Sequence, residues 1–253
     1  MEPTLADDLS WLVELVGDSD MPGRTIRPSR YSVTGYISTT KAETSQPAES
    51  SLEQDFLTLL DADSRVERFL AQPFTIRWTD SAGKRQRYTP DVIVKYAYWA
   101  RKEDPTLRTT IFEVKPRELL AEELKTRRPT FRSAIGWAGE RSCLFHFVTE
   151  QEIRTPYLVN VKFLRGYESK QLHLDHELSE ARQLLVRRTI YRLQRTTPRE
   201  LLQTMSSNPQ QQAVLLPYLW NLILCNAVGV NLKEKLTMSS PIWCVETKET
   251  LKI

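Results

Sequence analysis

The sequence predicts an α/β protein, with a mixed β-sheet flanked by helices and a smaller helical domain that ends in a β-hairpin. Residues 70–115 alternate apolar and polar side chains with the period of two expected for strands. A helical pattern over 117–139 then precedes an apolar run at 143–148, and strands joined across a helix are typical of an α/β core. Residues 167–253 contain helical segments before two short alternating ones.

Composition places the chain among ordinary globular proteins. Of its 253 residues, 40% are hydrophobic and 26% are charged, and the formal net charge is +3. This small positive charge permits a nucleic-acid partner without requiring one. Because no run of 18 apolar residues occurs, we expect no membrane span and a cytoplasmic protein. Cys143 and Cys225 lie in apolar runs and are predicted to be reduced thiols in the core.

Residues 1–50 are predicted to form an N-terminal helix and an extended arm. The first 22 residues are acidic and carry apolar side chains at helical spacing, which fits a helix packed on its own domain or a docking helix for a basic partner. Ser, Thr and Pro dominate the next stretch, in which Arg24, Arg27 and Arg30 recur every third residue. These arginines suit contacts with DNA phosphates, and a solvated linker explains them equally well.

A central domain is predicted over residues 51–166. It opens with a helix over 51–69, because apolar residues follow Leu52 at helical spacing. Glu53 lies at the margin of this apolar stripe and can reach a cleft without entering the core.

The strands of the central domain are marked by prolines and a turn. Residues 80–83 predict the turn of a hairpin between the strands 74–78 and 85–88. Pro90 then introduces the strand 91–96, and Pro116 ends the strand 109–115. The helical pattern over 117–139 is expected to break near Pro129.

The C-terminal domain is predicted over residues 167–253. Thr197-Pro198-Arg199-Glu200 is a capping box, and Asn208-Pro209 starts another helix that Gly229 is expected to stop. Residues 230–232 and 242–245 alternate like two short strands. Three helices followed by a β-hairpin is the order of a winged helix, which would bind DNA through arginines such as Arg187 and Arg188. Those arginines could instead form the solvated face of a long helix.

Three acidic residues and one lysine are expected to meet in a single site. Asp91 opens one strand and Glu113-Val114-Lys115 ends the next, so Glu113 and Lys115 face the same side. Neighbouring strands lie only ~4.8 Å apart, which allows the two carboxylates, together with Glu53, to share a cation. Clustered carboxylates repel one another without such a charge, and a hard ion such as Mg²⁺ meets that need.

This arrangement suits hydrolysis of a phosphodiester. The reaction needs an activated water, a stabilised leaving oxygen and in-line geometry, which metal ions can provide. Lys115 would orient the water, help to deprotonate it or stabilise charge on the phosphate. An alternative is a solvated strand edge whose charges prevent aggregation, but it does not explain why charges end a strongly apolar run.

At these residues the chain resembles the PD-(D/E)xK nuclease superfamily, and more specifically the TnsA endonuclease family of heteromeric transposases. The resemblance rests on short motifs in order between Pro28 and Arg154, which read PSRYSVTGYISTTK, SLEQDFLTLL, VERFLAQPFTIRW, RYTPDVIV, FEVKP and LFHFVTEQEIR. It implies a restriction-endonuclease-like core. Some relatives carry Gln at the position of Glu113.

The resemblance also implies a role. Glu53, Asp91 and Glu113 would be metal-binding acids, and Lys115 the catalytic lysine, with Mg²⁺ as cofactor and Mn²⁺ as a substitute. TnsA-like subunits cut the 5′ strands at transposon ends in bacteria, while a TnsB transposase cuts and joins the 3′ ends. A TnsC ATPase contacts their C-terminal region. Two other functions remain open: a non-catalytic DNA-binding adaptor, and a restriction or repair nuclease that acts alone.

Overall fold

A computed structural model describes residues 10–17, 35–168 and 176–245 of the chain. It consists of two compact units, Met1–Ile153 and Arg154–Ile253. Within the described ranges, none of the helices has the length and apolar character needed to cross a bilayer. Arg24, Arg27 and Arg30 lie outside the described residues.

The first unit is built around a mixed sheet, as the sequence predicts, and this sheet has four strands. The order of its strands is β3 (Val66–Ala71), β6 (Val92–Tyr96), β7 (Thr110–Val114) and β8 (Leu144–Val148). Strand β8 runs parallel to β7, and the other neighbours are antiparallel. The helices that connect β7 to β8 cross over the sheet, which allows those two strands to run in the same direction. The elements, in chain order, are α1 (Ser10–Val16), β1 (Gly35–Ile37), β2 (Gln46–Ala48), α2 (Ser51–Ala62), β3 (Val66–Ala71), β4 (Ile76–Thr79), β5 (Arg85–Tyr88), β6 (Val92–Tyr96), α3 (Tyr98–Glu103), β7 (Thr110–Val114), α4 (Arg117–Thr126), α5 (Arg128–Glu140), β8 (Leu144–Val148) and α6 (Glu150–Ile153).

Helices α1 and α5 and the β4–β5 hairpin share one hydrophobic core with the sheet. Leu12 and Val16 of α1 are buried there, and Arg141 Nε donates a hydrogen bond to the Leu15 carbonyl at 3.1 Å. The described part of the N-terminal helix therefore packs on its own unit, the first of the two alternatives. Pro129 stands in the first turn of α5, where its missing N–H costs no helical hydrogen bond.

The helix predicted over residues 51–69 is too long. It ends at Ala62, and Val66–Ala71 instead forms the strand β3, paired antiparallel with β6. Asp63 turns the chain, because its carboxylate accepts a hydrogen bond from the Arg65 N–H at 2.9 Å and forms an ion pair with the Arg65 side chain at 2.7 Å. Val66 and Phe69 continue the helical spacing of α2, so periodicity alone does not reveal this boundary.

In the described part of the second unit, four helices pack against a small antiparallel sheet. The order of its strands is β10 (Val228–Val230), β11 (Ile242–Cys244) and β9 (Arg195–Thr196). Two of its helices begin where the sequence predicts. The Thr197 side chain accepts a hydrogen bond from the Glu200 N–H, and the Asn208 side chain accepts one from the Gln210 N–H. The elements, in chain order, are α7 (Pro156–Arg165), α8 (His176–Leu193), β9 (Arg195–Thr196), α9 (Pro198–Met205), α10 (Pro209–Leu224), β10 (Val228–Val230) and β11 (Ile242–Cys244).

Two expectations about the end of α10 are wrong. The helix ends before Asn226, which takes the left-handed conformation with φ of 56°, while Gly229 lies inside β10. Cys225 is exposed rather than in the core, because it caps the helix where the chain leaves it. Gly229 pairs with Trp243, and a Cβ at this position would lie 2.1 Å from the indole Nε1.

We therefore expect Gly229→Ala to lower the free energy of unfolding by about 1–3 kcal/mol, the usual cost of overpacking. In a Trp243→Ala background the same substitution should cost much less, because the indole that it meets is gone. Urea denaturation of the four proteins measures this coupling. An equal cost in both backgrounds would show that the contact with Trp243 is not the reason for glycine here.

Candidate active site

Asp91 and Glu113 are placed side by side by the pairing of β6 with β7. Val92 lies opposite Phe112, so Asp91, one step before β6, continues the register opposite Glu113. The Asp91 Oδ2 atom accepts a hydrogen bond from the Val114 N–H at 2.7 Å, which fixes this carboxylate against the end of β7. Glu113 is only 2% exposed. The two acids thus share one partly closed position at the edge of the sheet.

Lys115 bridges these two carboxylates. Its Nζ atom lies 3.2 Å from Glu113 Oε1 and 3.6 Å from Asp91 Oδ2. Lys115 follows β7 and its N–H donates to the Val148 carbonyl at 3.1 Å, so β8 holds the backbone at this point. The Lys115 side chain retains 20% exposure, so it is partly accessible to solvent.

Glu53 approaches the site from the first turn of α2. Ser50 caps this helix by accepting from the Glu53 N–H, and the Glu53 carboxylate in turn accepts from the Glu49 N–H at 2.8 Å and the Ser50 hydroxyl at 3.0 Å. This reciprocal arrangement resembles a capping box, except that Glu53 accepts from the N–H of the residue before the N-cap. Glu53 is half-buried, and its charge acts on both Asp91 and Lys115. It therefore stands beside the Asp91–Glu113–Lys115 cluster while also serving as a helix cap.

The electrostatics of the cluster reflect an excess of negative charge. Burial, and then the neighbouring Glu113, raise the pKa of Asp91 well above its ordinary value. Burial also raises the pKa of Glu53. Burial alone would lower the pKa of Lys115, but Asp91 and Glu113 outweigh it and hold that pKa above its usual range. The lysine is thus a firmly charged ammonium, and one positive charge faces three carboxyl groups.

The sequence reasoning missed Tyr88. This residue ends β5, is 4% exposed, and donates a short hydrogen bond from its hydroxyl to Glu113 Oε2. Burial and the Glu113 carboxylate raise the pKa of this phenol far above its usual range, so the hydroxyl stays protonated and acts as a donor. The alternation of β5 places Tyr88 on the inner face of the hairpin, but no sequence pattern identifies its partner.

Comparison with known protein families assigns the segment that holds this cluster. Residues 63–150 match the family model described as TnsA-like endonuclease N terminal. The chain contains a TnsA-like endonuclease domain. No curated protein matches the chain. The matched segment includes Tyr88, Asp91, Glu113 and Lys115, whereas Glu53 precedes it.

The acids of the TnsA-like domain suit a hard divalent cation in their donor chemistry and charge. Carboxylate oxygens are the ligands that Mg²⁺ prefers, and the raised pKa of Asp91 reflects burial first and then repulsion from Glu113, both of which a cation would offset. Within the described residues, however, no three His, Cys, Asp or Glu side chains converge as a formed metal site. Lys115 instead lies within 4 Å of both acids. A bound cation would share Asp91 and Glu113 with this ammonium.

The C-terminal arginines lie on α8 of the second unit, outside the TnsA-like domain. Arg187 is half-buried and Arg188 is exposed, so Arg188 is accessible to a ligand. Arg182 is bound to its own unit, because its Nη1 atom donates to the Tyr218 hydroxyl at 3.1 Å and its guanidinium stacks over the Tyr218 ring. Contact of Arg187 and Arg188 with DNA stays a prediction.

We expect Tyr88→Phe to lower the free energy of unfolding by about 1–3 kcal/mol, because the buried side chain of Glu113 loses a hydrogen-bond partner. Nuclease activity of the TnsA-like domain should fall as well, since Glu113 is no longer held in place. Tyr98→Phe is the matched control, because Tyr98 on α3 is 72% exposed. If denaturant unfolding showed the same loss of stability in Tyr88→Phe and Tyr98→Phe, the Tyr88 hydroxyl would not support Glu113.

Proposed function

We propose that the chain is the metal-dependent DNA endonuclease subunit of a heteromeric transposase. It would cut the 5′ strands at transposon ends, together with a TnsB-like transposase and a TnsC-like ATPase. The observation that carries this proposal is the Lys115 ammonium between the carboxylates of Asp91 and Glu113, inside the TnsA-like domain. A restriction-endonuclease-like core agrees with the four-stranded mixed sheet and its flanking helices.

Each residue of the cluster has a distinct part in this proposal. Asp91, Glu113 and Glu53 would hold Mg²⁺, which activates water and stabilises the leaving oxygen of a phosphodiester. The raised pKa of Lys115 favours stabilisation of charge on the phosphate over deprotonation of the water. A firmly protonated ammonium donates hydrogen bonds and neutralises charge on the phosphate, and is poorly suited to accept a proton from water. Tyr88 would keep Glu113 in place.

The C-terminal unit is proposed to be a winged-helix-like domain that binds DNA or a protein partner. Its order of helices and strands and its three-stranded antiparallel sheet support this interpretation. Arg187 and Arg188 on α8 would contact DNA, and Arg24, Arg27 and Arg30 would do so from the N-terminal arm. Salt-dependent binding of DNA that falls when Arg187 and Arg188 are replaced by Gln would support these contacts.

The test is strand-specific cleavage of a labelled duplex that carries an end of the element encoding this chain. With Mg²⁺ and the TnsB-like partner, the protein should cut the 5′ strand, and chelation of the metal should stop the reaction. Efficient cutting without the partner would identify a stand-alone nuclease. DNA binding without cleavage, with or without the partner, would identify an adaptor. Either result overturns the proposal.

A further inference from the structure

The β4–β5 hairpin presents a basic outer face. Arg77 lies directly opposite Arg87 across the two strands, and Thr79 lies opposite Arg85. All four residues are exposed. The inner face is different in character, because Ile76 and Tyr88 are buried in the core. The alternation of the two strands therefore places three arginines together on one solvent-facing surface, which we name the arginine face (Arg77, Arg85 and Arg87).

The arginine face is not explained by the stability of the hairpin. Like charges placed directly opposite each other across a sheet destabilise the pairing, because the two guanidinium groups repel one another. Within the part of the chain that the structure describes, neither Arg85 nor Arg87 has an ion-pair partner. The nearby carboxylate of Asp80 is used in the turn, where it accepts hydrogen bonds from Ala82, Lys84 and Gln86.

The hairpin is also tied to the candidate active site. Its last residue, Tyr88, donates a hydrogen bond to Glu113, and a 2.9 Å hydrogen bond between the Thr75 and Thr89 hydroxyls closes its base. Arg87 precedes Asp91 by four residues, so their Cα atoms lie at most about 14 Å apart. One strand of DNA advances ~3.4 Å per phosphate. Arg87 is thus placed within a few nucleotides of a phosphate held at Asp91.

We propose that the arginine face binds the phosphate backbone of duplex DNA beside the scissile phosphate. This inference rests on the proposed function and deepens it, because it names the surface that seats the substrate. An arginine guanidinium can donate two parallel hydrogen bonds to the oxygens of one phosphate. Contacts with phosphates fix the position of a protein on DNA without reading the base sequence. DNA also supplies a negative partner for Arg85 and Arg87, which are both exposed.

The test measures binding to a short fluorescent duplex by anisotropy across a range of salt concentrations. The full-length chain carries Asp91→Asn, so that the DNA is not cut. Adding Arg85→Gln and Arg87→Gln should weaken binding to any sequence, and should reduce the slope of log affinity against log salt by about 1 for each phosphate that is no longer neutralised. Arg101→Gln with Lys102→Gln is the matched control, since it removes two exposed positive charges from α3.

A charge-preserving variant separates binding from folding. Arg85→Lys with Arg87→Lys should retain the salt slope of the parent, because each lysine still neutralises a phosphate. Arg87→Gln alone should not lower the unfolding temperature, since it removes one of two opposed charges.

Three results would overturn the inference. If the parent binds the duplex but the glutamine pair has the same affinity and salt slope as the parent, the inference alone is overturned, and the proposed function still stands on the strand-specific cleavage with Mg²⁺ and the TnsB-like partner. An equal loss of affinity in the Arg101→Gln, Lys102→Gln control would show a general charge effect instead of a specific surface. Failure of the parent to bind any duplex would overturn the inference and the proposed function together.

Discussion

Replacing Asp91 by asparagine is expected to abolish strand cleavage while preserving the fold. Asparagine has nearly the same shape and keeps an oxygen that can accept the hydrogen bond from the Val114 N–H. It removes the negative charge that a divalent cation needs. We expect the rate of cleavage to fall by at least about 10²-fold, as when one essential charge-stabilising group is lost. Cleavage of a labelled transposon end measures this.

The same substitution should increase the stability of the metal-free protein at neutral and alkaline pH. Because burial and Glu113 raise the pKa of Asp91 above its unfolded value of 3.8, the folded state holds the proton more tightly than the unfolded state does. The stability of the wild type therefore falls as pH rises from about 4 through the raised pKa. Asparagine does not titrate, so its advantage should grow across this range, by about 1.4 kcal/mol for each pH unit.

Glu103→Gln is a suitable control for Asp91→Asn, because it removes an exposed carboxylate from α3. It should change neither cleavage nor the pH dependence of unfolding. Mg²⁺ should raise the unfolding temperature of the wild type and of Glu103→Gln, but not that of Asp91→Asn. Full cleavage by Asp91→Asn would remove Asp91 from the reaction. If the unfolding of Asp91→Asn had the same pH dependence as that of the wild type, burial would not raise the pKa of Asp91.

The sequence is most informative where strand periodicity and chemistry coincide. Alternation over residues 70–115 and the apolar run at 143–148 predict an α/β unit with a mixed sheet, and the structure has one. Pro90-Asp91 and Glu113-Val114-Lys115 stand at strand ends, and the pairing of β6 with β7 brings their charged side chains together. The alternation of side chains along a strand is local and repetitive, so it can be read from the sequence.

The sequence is least informative where a residue owes its role to a distant contact. The apolar spacing of Val66–Ala71 continues that of α2 and so predicts more helix, although pairing with β6 makes this segment a strand. Gly229 has the sequence context of a helix stop, whereas its lack of a side chain accommodates Trp243 across the sheet. Tyr88 is fixed by a hydrogen bond to a residue 25 positions away. Each of these depends on packing that forms only when the chain is folded.

Lys115→Ala should destabilise the metal-free protein, in contrast to Asp91→Asn. The lysine lies 3.2 Å from Glu113 Oε1, and removing it leaves two largely buried carboxylates without their positive partner. Breaking a buried pair from one side costs about 3 kcal/mol or more, because the remaining charge stays desolvated. Cleavage should be lost together with stability. Denaturation in chelator measures the first effect, and cleavage of labelled DNA measures the second.

Lys95→Ala provides the comparison for this effect, because Lys95 Nζ lies 2.9 Å from Glu67 Oε1 in the same sheet but both side chains are more exposed, at 27% and 36%. Its loss should cost only about 0–1 kcal/mol. Two additions should restore stability to Lys115→Ala: Asp91→Asn, which removes one of the stranded charges, and Mg²⁺, which replaces the missing positive charge. If Lys115→Ala were as stable as Lys95→Ala, or if Mg²⁺ gave it no stabilisation, Asp91 and Glu113 would not form the cation-dependent cluster on which the proposed nuclease depends.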